Sequence, residues 1–139
     1  MSKVLEKVVL SQILPHINCN KLLSDFQLAY RPHHSTETAL LKVTNDLVSA
    51  MDDGKTSVLV LLDLSAAFDT TDHEILLHHL HYVFGYGDTV LFWFQSYLEN
   101  RTQTVVVHGK HSTPASIHQG VPQGSVLGPI LFTLYLQPL

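Results

Sequence analysis

Apolar residues near the start of the chain recur at intervals of three to five: Val4, Leu5, Val8, Val9 and Ile13. That spacing predicts an amphipathic helix from Val4 to Ile17, stopped near Pro15 because proline lacks the amide hydrogen that a helix interior uses. A polar stretch, Asn18 to Ser24, leads into FQLAYRPHHST, where Ser35 or Thr36 can cap a second helix by accepting a hydrogen bond from a free backbone amide. Its Leu40, Leu41, Leu47, Val48 and Met51 share one face, and Gly54 ends it. The period then changes. TSVLVLLDLS carries a continuous β-branched and leucine run, too short for a helix, which predicts a central strand over residues 57–62 covered on both faces.

Asp72 is placed to cap a helix carrying Ile75, Leu76, Leu80 and Val83, and Asp88 one carrying Val90, Leu91, Phe94, Tyr97 and Leu98. TQTVVVH and TPASIH flank Gly109-Lys110-His111, which predicts a β-hairpin with a tight glycine turn. QGVPQGSVLGP reads as a loop, and PILFTLYLQ as an apolar helix. Helices and strands mix without regular βαβ alternation, so the fold class is α+β.

The length of 139 residues suits one domain. With 45% hydrophobic and 14% charged residues the chain can bury a core, which excludes a disordered segment. Eight Lys and Arg against twelve Asp and Glu give a net charge of −4, excluding a nucleic-acid binder held by bulk positive charge. Phosphate contacts have to be local. Cys19 is the only cysteine, so no disulfide partner is evident, a cysteine-based zinc cluster is excluded and a reducing, intracellular setting is the default. The run Val58 to Leu62 is far below the roughly 18 residues that cross a bilayer, so no membrane is expected as a partner.

Two segments could carry chemistry. In LLDLSAAFDTTDH, Asp63 ends a strongly apolar strand, where an uncompensated carboxylate is costly. It is either a ligand for a hard divalent cation such as Mg²⁺ or the cap of the next turn. Asp69 and Asp72 are accounted for by capping of the helix that follows. In QGVPQGSVLGP, three glycines let backbone amides approach a ligand, but the Walker pattern is absent and no Lys or Arg occurs after Lys110, so a plain connection to the next helix explains the loop as well. His73, His78, His79 and His81 fall on one helical segment, where ordinary helix histidines are the simpler reading than metal ligands. Asp52 and Asp53, in Met51-Asp52-Asp53-Gly54, lie at a helix end, where a polar final turn before Gly54 explains them.

Taken together, the colinear segments KVLEKVVLSQILPHI, FQLAYRPHHSTETALLKVTNDL, VLLDLSAAFDTTDH, WFQSYLENRTQTV and QGVPQGSVLGPILF resemble the reverse transcriptase of LINE-type (non-LTR) retrotransposons over nearly the whole chain. The resemblance implies a partial right-hand polymerase: fingers-like over residues 1–55, palm-like over 56–139, with an incomplete antiparallel palm sheet and packed helices. It implies Asp63 as a catalytic Mg²⁺ ligand, Phe68 beneath the incoming sugar, Gln123 and Gly124 against the nascent base pair, and Arg31 on the template strand. Ala29 and Tyr30 stand where the family has Gly-Phe, and His33 where glycine is common. RNA template, DNA primer and deoxynucleotides are the implied partners of the intact enzyme.

The further aspartates of the family's Ala-Asp-Asp turn do not occur within residues 1–139, and two metal ions need more than one carboxylate. The chain alone is therefore expected to be inactive, with a noncatalytic remnant or interaction module as the alternative. A phosphohydrolase using Asp63, Asp69, Asp72 and His73 would leave the glycine loop unexplained. On the polymerase reading, the 57–62 strand pairs with a neighbour and Gln123 approaches Asp63 across a cleft.

Overall fold

The computed structural model describes residues 2–137, which divide into two compact units: residues 2–23 with 66–137, and Ser24–Ser65. The first unit is a helical core with a hairpin. It contains α1 (Ser2–Cys19), α3 (His73–Tyr82), α4 (Asp88–Leu98), α5 (Gly128–Leu136) and strands β1 (Arg101–Gln103), β2 (Val106–Val107), β3 (Lys110–His111) and β4 (Ala115–Ile117). The second holds a polar loop, α2 (Thr36–Asp52) and an extended segment.

Each core helix buries a pair of residues one turn apart: Ile13 and Ile17, Leu76 and Leu80, Phe94 and Leu98, Ile130 and Leu134. Helix α3 packs against both α4 and α5. The buried face of α1 runs through Glu6, Ile13 and Ile17, whereas the expected stripe of Val4, Leu5 and Val8 is about half exposed or more. Helix α1 also continues through Pro15 to Cys19. Its last turn is held from outside, because the His16 Nε2–H donates to the Phe84 carbonyl at 2.7 Å and Ile17 is fully buried. Tertiary contacts thus offset the hydrogen bond that proline removes. Asp72 caps α3 as its position predicts, accepting from the Ile75 amide at 3.0 Å. Gly87 takes the cap of α4 and Asp88 moves into the first turn, where its charge faces the positive end of the helix.

The expected hairpin forms, but Lys110 and His111, placed in its turn by the sequence, belong to strand β3. Outer strands β1 and β4 pair antiparallel, as do inner strands β2 and β3, and the two-residue turn between the inner strands is His108-Gly109. Both turn residues have positive φ, 49° and 76°, which a type I′ turn requires and glycine adopts freely.

In the second unit Ser35 caps α2 through a reciprocal box with Thr38. Gly54, at φ 69°, closes the helix with bonds to the Met51 carbonyl, while Lys55 bonds that of Ala50. No residue of α2 is buried, so its predicted apolar face is largely open to solvent. The expected central strand is absent. Residues 57–62 are extended and unpaired, with Val58 84% and Leu62 88% exposed. A strand exists only through a ladder to a neighbour, and among the described residues no segment pairs with this one; the four short strands pair with one another.

Tyr86 is 7% exposed, and its hydroxyl has no hydrogen-bond partner among the described residues. Burial pushes its pKa up to about 12. The folded state therefore keeps this proton after the unfolded chain releases it near pH 10, so stability is intact below about pH 10 and falls as the pH rises towards 12. Denaturant midpoints measured across that range will show this decline, and Tyr86→Phe will flatten it while leaving neutral-pH stability unchanged or raised by about 1 kcal/mol.

Candidate functional site

In the first unit, the AAFDTTDH stretch, residues 66–73, meets the QGVPQG segment. Residues 66–71 form a tight turn in which the Asp69 and Thr70 amides both bond the Ala66 carbonyl. Against this turn lies Gly120. Its amide donates to the Thr71 carbonyl and the next amide, Val121, donates to the Phe68 carbonyl, both at 2.7 Å. Asp72 and Gln119 form an antiparallel bridge beside them. The Gly120 carbonyl accepts two more bonds, from Nε2 of buried His73 at 2.8 Å and from the Arg101 guanidinium at 3.3 Å. Backbone and side chains together bind one short loop at four points.

Glycine is required here. Gly120 has φ +86°, and a Cβ on it would stand 3.0 Å from the Asp69 Cα and from the Asp69 and Phe68 carbonyl oxygens. Gly124 also has positive φ, 71°, but no atom of the surroundings lies within 4 Å of its missing Cβ.

Beyond Gly120 the loop is tied at its far end by α1. The Glu6 side chain is 5% exposed, and its carboxylate accepts from the Val126 and Leu127 amides at 2.6 and 3.3 Å, in the turn that leads into α5. The Ser125 hydroxyl accepts from the Gly128 amide at 2.9 Å. The Tyr97 hydroxyl is buried beside Ser125 and Glu6, and burial above all raises its pKa. Neither Glu6 nor Arg101 stood out in the sequence. The spacing of Glu6 to Ile13 and Ile17, seven and eleven positions, is the one local sign that it faces inward.

Between the two tied ends, Phe68, Pro122, Gln123, Gly124, Ser125, Gly128 and Pro129 line a pocket of about 290 Å³. Three of the expected site residues, Phe68, Gln123 and Gly124, are thus gathered around one space. The Phe68 ring is held edge-on to Phe132 at 5.3 Å.

The other two belong to the second unit. Asp63 is exposed on the extended segment after Leu62. Arg31 folds back on its own loop, donating to the Ser24 and Gln27 carbonyls, each at 3.1 Å. In that loop His33 has φ 64°, the left-handed region where a side chain costs about 1–2 kcal/mol and glycine costs nothing. Asp53 forms an ion pair with Lys55 at 2.9 Å beyond the end of α2. His79 and His81 donate to the Tyr135 and Tyr86 carbonyls, as ordinary helix histidines do.

A carboxylate is the right donor for Mg²⁺, but one is short of the ligands that a two-metal centre uses. Among the described residues no three His, Cys, Asp or Glu side chains are grouped to hold an ion. The donor set of the described residues does not by itself fit a two-metal centre.

The two glycines give a direct contrast. Gly120→Ala will cost about 2–4 kcal/mol in denaturant unfolding, from left-handed strain plus the close backbone approach, whereas Gly124→Ala will cost about 1 kcal/mol from strain alone.

A family model described as reverse transcriptase (RNA-dependent DNA polymerase) matches residues 1–139. The chain is 34% identical over 135 residues to the RNA-directed DNA polymerase from mobile element jockey of Drosophila melanogaster, a match covering 97% of this chain and 14% of that protein. It is 33% identical over 142 residues to the probable RNA-directed DNA polymerase from transposon BS of the same species, covering 100% and 15%. It is 35% identical over 86 residues to the retrovirus-related Pol polyprotein from type-1 retrotransposable element R2 of Popillia japonica, covering 62% and 14%. The chain spans only 14% to 15% of the length of these relatives. No solved structure matches it. With a family match along its whole length and mobile-element polymerases as its relatives, the chain belongs to the reverse transcriptase family, among the LINE-type (non-LTR) retrotransposon enzymes.

Proposed function

We propose that this chain is the part of an RNA-directed DNA polymerase that forms its incoming-nucleotide pocket and carries one of its metal-binding carboxylates. The observation that carries the reading is the pocket shared by Phe68, Gln123 and Gly124, residues from two segments more than fifty positions apart. An aromatic ring and a glycine-rich backbone around a small space suit a sugar and a base: the ring excludes an added hydroxyl by volume, and bare backbone admits close approach.

In this reading residues 1–55 are fingers-like and 56–139 palm-like. Asp63 anchors Mg²⁺ with aspartates contributed by the rest of the longer enzyme, Arg31 reaches the template, and an RNA template, DNA primer and deoxynucleotides are the substrates. The extended, unpaired state of residues 57–62 accords with a strand whose ladder partner is not among the described residues. Apart from the enzyme, the chain is inactive.

The test is RNA-templated DNA primer extension by a jockey polymerase whose matching segment is replaced by this chain. Extension is expected, and Asp63→Asn will lower it by about 10³-fold or more, the loss of several kcal/mol of transition-state stabilisation. Extension that survives Asp63→Asn unchanged would remove the carboxylate from the mechanism.

A further inference from the structure

A carboxylate is costly to bury, yet Glu6 of α1 is buried, the one acidic side chain in that state among the described residues. Its Oε2 accepts from the Val126 amide at 2.6 Å and from the Leu127 amide at 3.3 Å. The buried Tyr97 hydroxyl lies beside the same carboxylate and Ser125. Stacking on Trp93, 10° from parallel with centroids 5.4 Å apart, holds the Tyr97 ring there. We infer that Glu6 is a positioning residue for the deoxynucleotide: by fixing the end of the glycine loop it sets where Gln123 and Gly124 stand in the pocket. The inference rests on the polymerase reading of that pocket.

The ring and the loop that line the pocket are held separately. Phe68 lies in the 66–71 turn, which the Gly120 and Val121 amides bind at 2.7 Å, and its ring packs edge-on against Phe132. Gln123 and Gly124 stand between the Val121 bond and the Val126 bond, spanned by the Ser125 amide on the Pro122 carbonyl at 3.1 Å. Around Gly124 the space is open, with no atom within 4 Å of the position of a Cβ. The path of residues 122–125 is therefore set by its two ends.

A short span pinned at both ends is ordered before a ligand arrives, whereas one freed at its far end must be ordered by the ligand, which weakens binding. A charged acceptor holds backbone amides more firmly than a neutral one, which gives the carboxylate a reason to be there. Glu6 is not among the residues that line the pocket, so it acts on the nucleotide only through the loop. Such a residue strengthens binding in the ground and transition states alike, and its loss appears in KM rather than in kcat.

Primer extension by the jockey polymerase carrying this chain tests it, read as KM and kcat for each deoxynucleoside triphosphate. Glu6→Ala will raise KM about tenfold and leave kcat within about twofold of wild type. Glu6→Asp draws the carboxylate back by one methylene; it will raise KM about fivefold and carries the test if Glu6→Ala fails to fold. Glu6→Gln keeps an oxygen at the same reach and will stay within about threefold of wild type. Lys7→Gln, at the exposed neighbouring position, will leave both constants unchanged. A purely structural role lowers the folded fraction and hence kcat without moving KM; that result, or wild-type KM in Glu6→Asp, would overturn the assignment. Amide exchange of the chain by itself gives a readout without catalysis. Glu6→Asp will speed exchange at Ser125 about tenfold while Gly120 and Val121 stay slow, and unchanged exchange at Ser125 would also overturn the assignment. Failure on either count leaves the polymerase reading standing, because that reading is decided by extension with Glu6 intact and by its loss in Asp63→Asn.

Discussion

The site of this protein depends on a backbone contact at Gly120. Two amides of the 119–121 segment bond the carbonyls of Phe68 and Thr71, while the Gly120 carbonyl takes bonds from His73 and Arg101. These bonds form only because no side chain separates Gly120 from Asp69. A buried backbone group left unpaired costs free energy on the scale of the bond it lacks, so the four bonds hold the turn and the loop in a single register. That register gathers Phe68, Gln123 and Gly124 around one pocket.

Two more anchors fix the frame around this contact. Asp72 caps α3 one residue before His73, so the helix start sets the direction from which the imidazole meets Gly120. Glu6 of α1 bonds the Val126 and Leu127 amides just ahead of α5 and holds the far end of the glycine loop. A carboxylate so deeply buried is tolerable because two backbone amides supply its hydrogen bonds. The loop therefore spans two fixed ends, and its own glycines need not make it rigid.

Local signals were legible in the sequence, and long-range ones were not. Ser35, Asp72 and Gly54 act within a few residues of themselves, and Gly109 marks the hairpin turn, although the pair that makes it is His108-Gly109 and not Gly109-Lys110-His111. The approach of the two motif segments was readable only through family resemblance, which also named Phe68, Gln123 and Gly124. The partners of Glu6 lie 120 and 121 positions away, so nothing local announces them. Val58 to Leu62 has the composition of a buried strand, but composition cannot supply a ladder partner, and the segment stands unpaired. Gly120 and Gly124 look alike in the loop's composition; only the position of Asp69 separates a glycine required by contact from one required by φ.

Amide hydrogen exchange at Gly120 and Val121 tests the account most directly. If these two amides are bonded within the folded unit, they exchange as slowly as the amides of the buried α3 and α5 helices. Exchange at the rate of an exposed loop would show that the two segments are not joined, and the shared pocket would go with them.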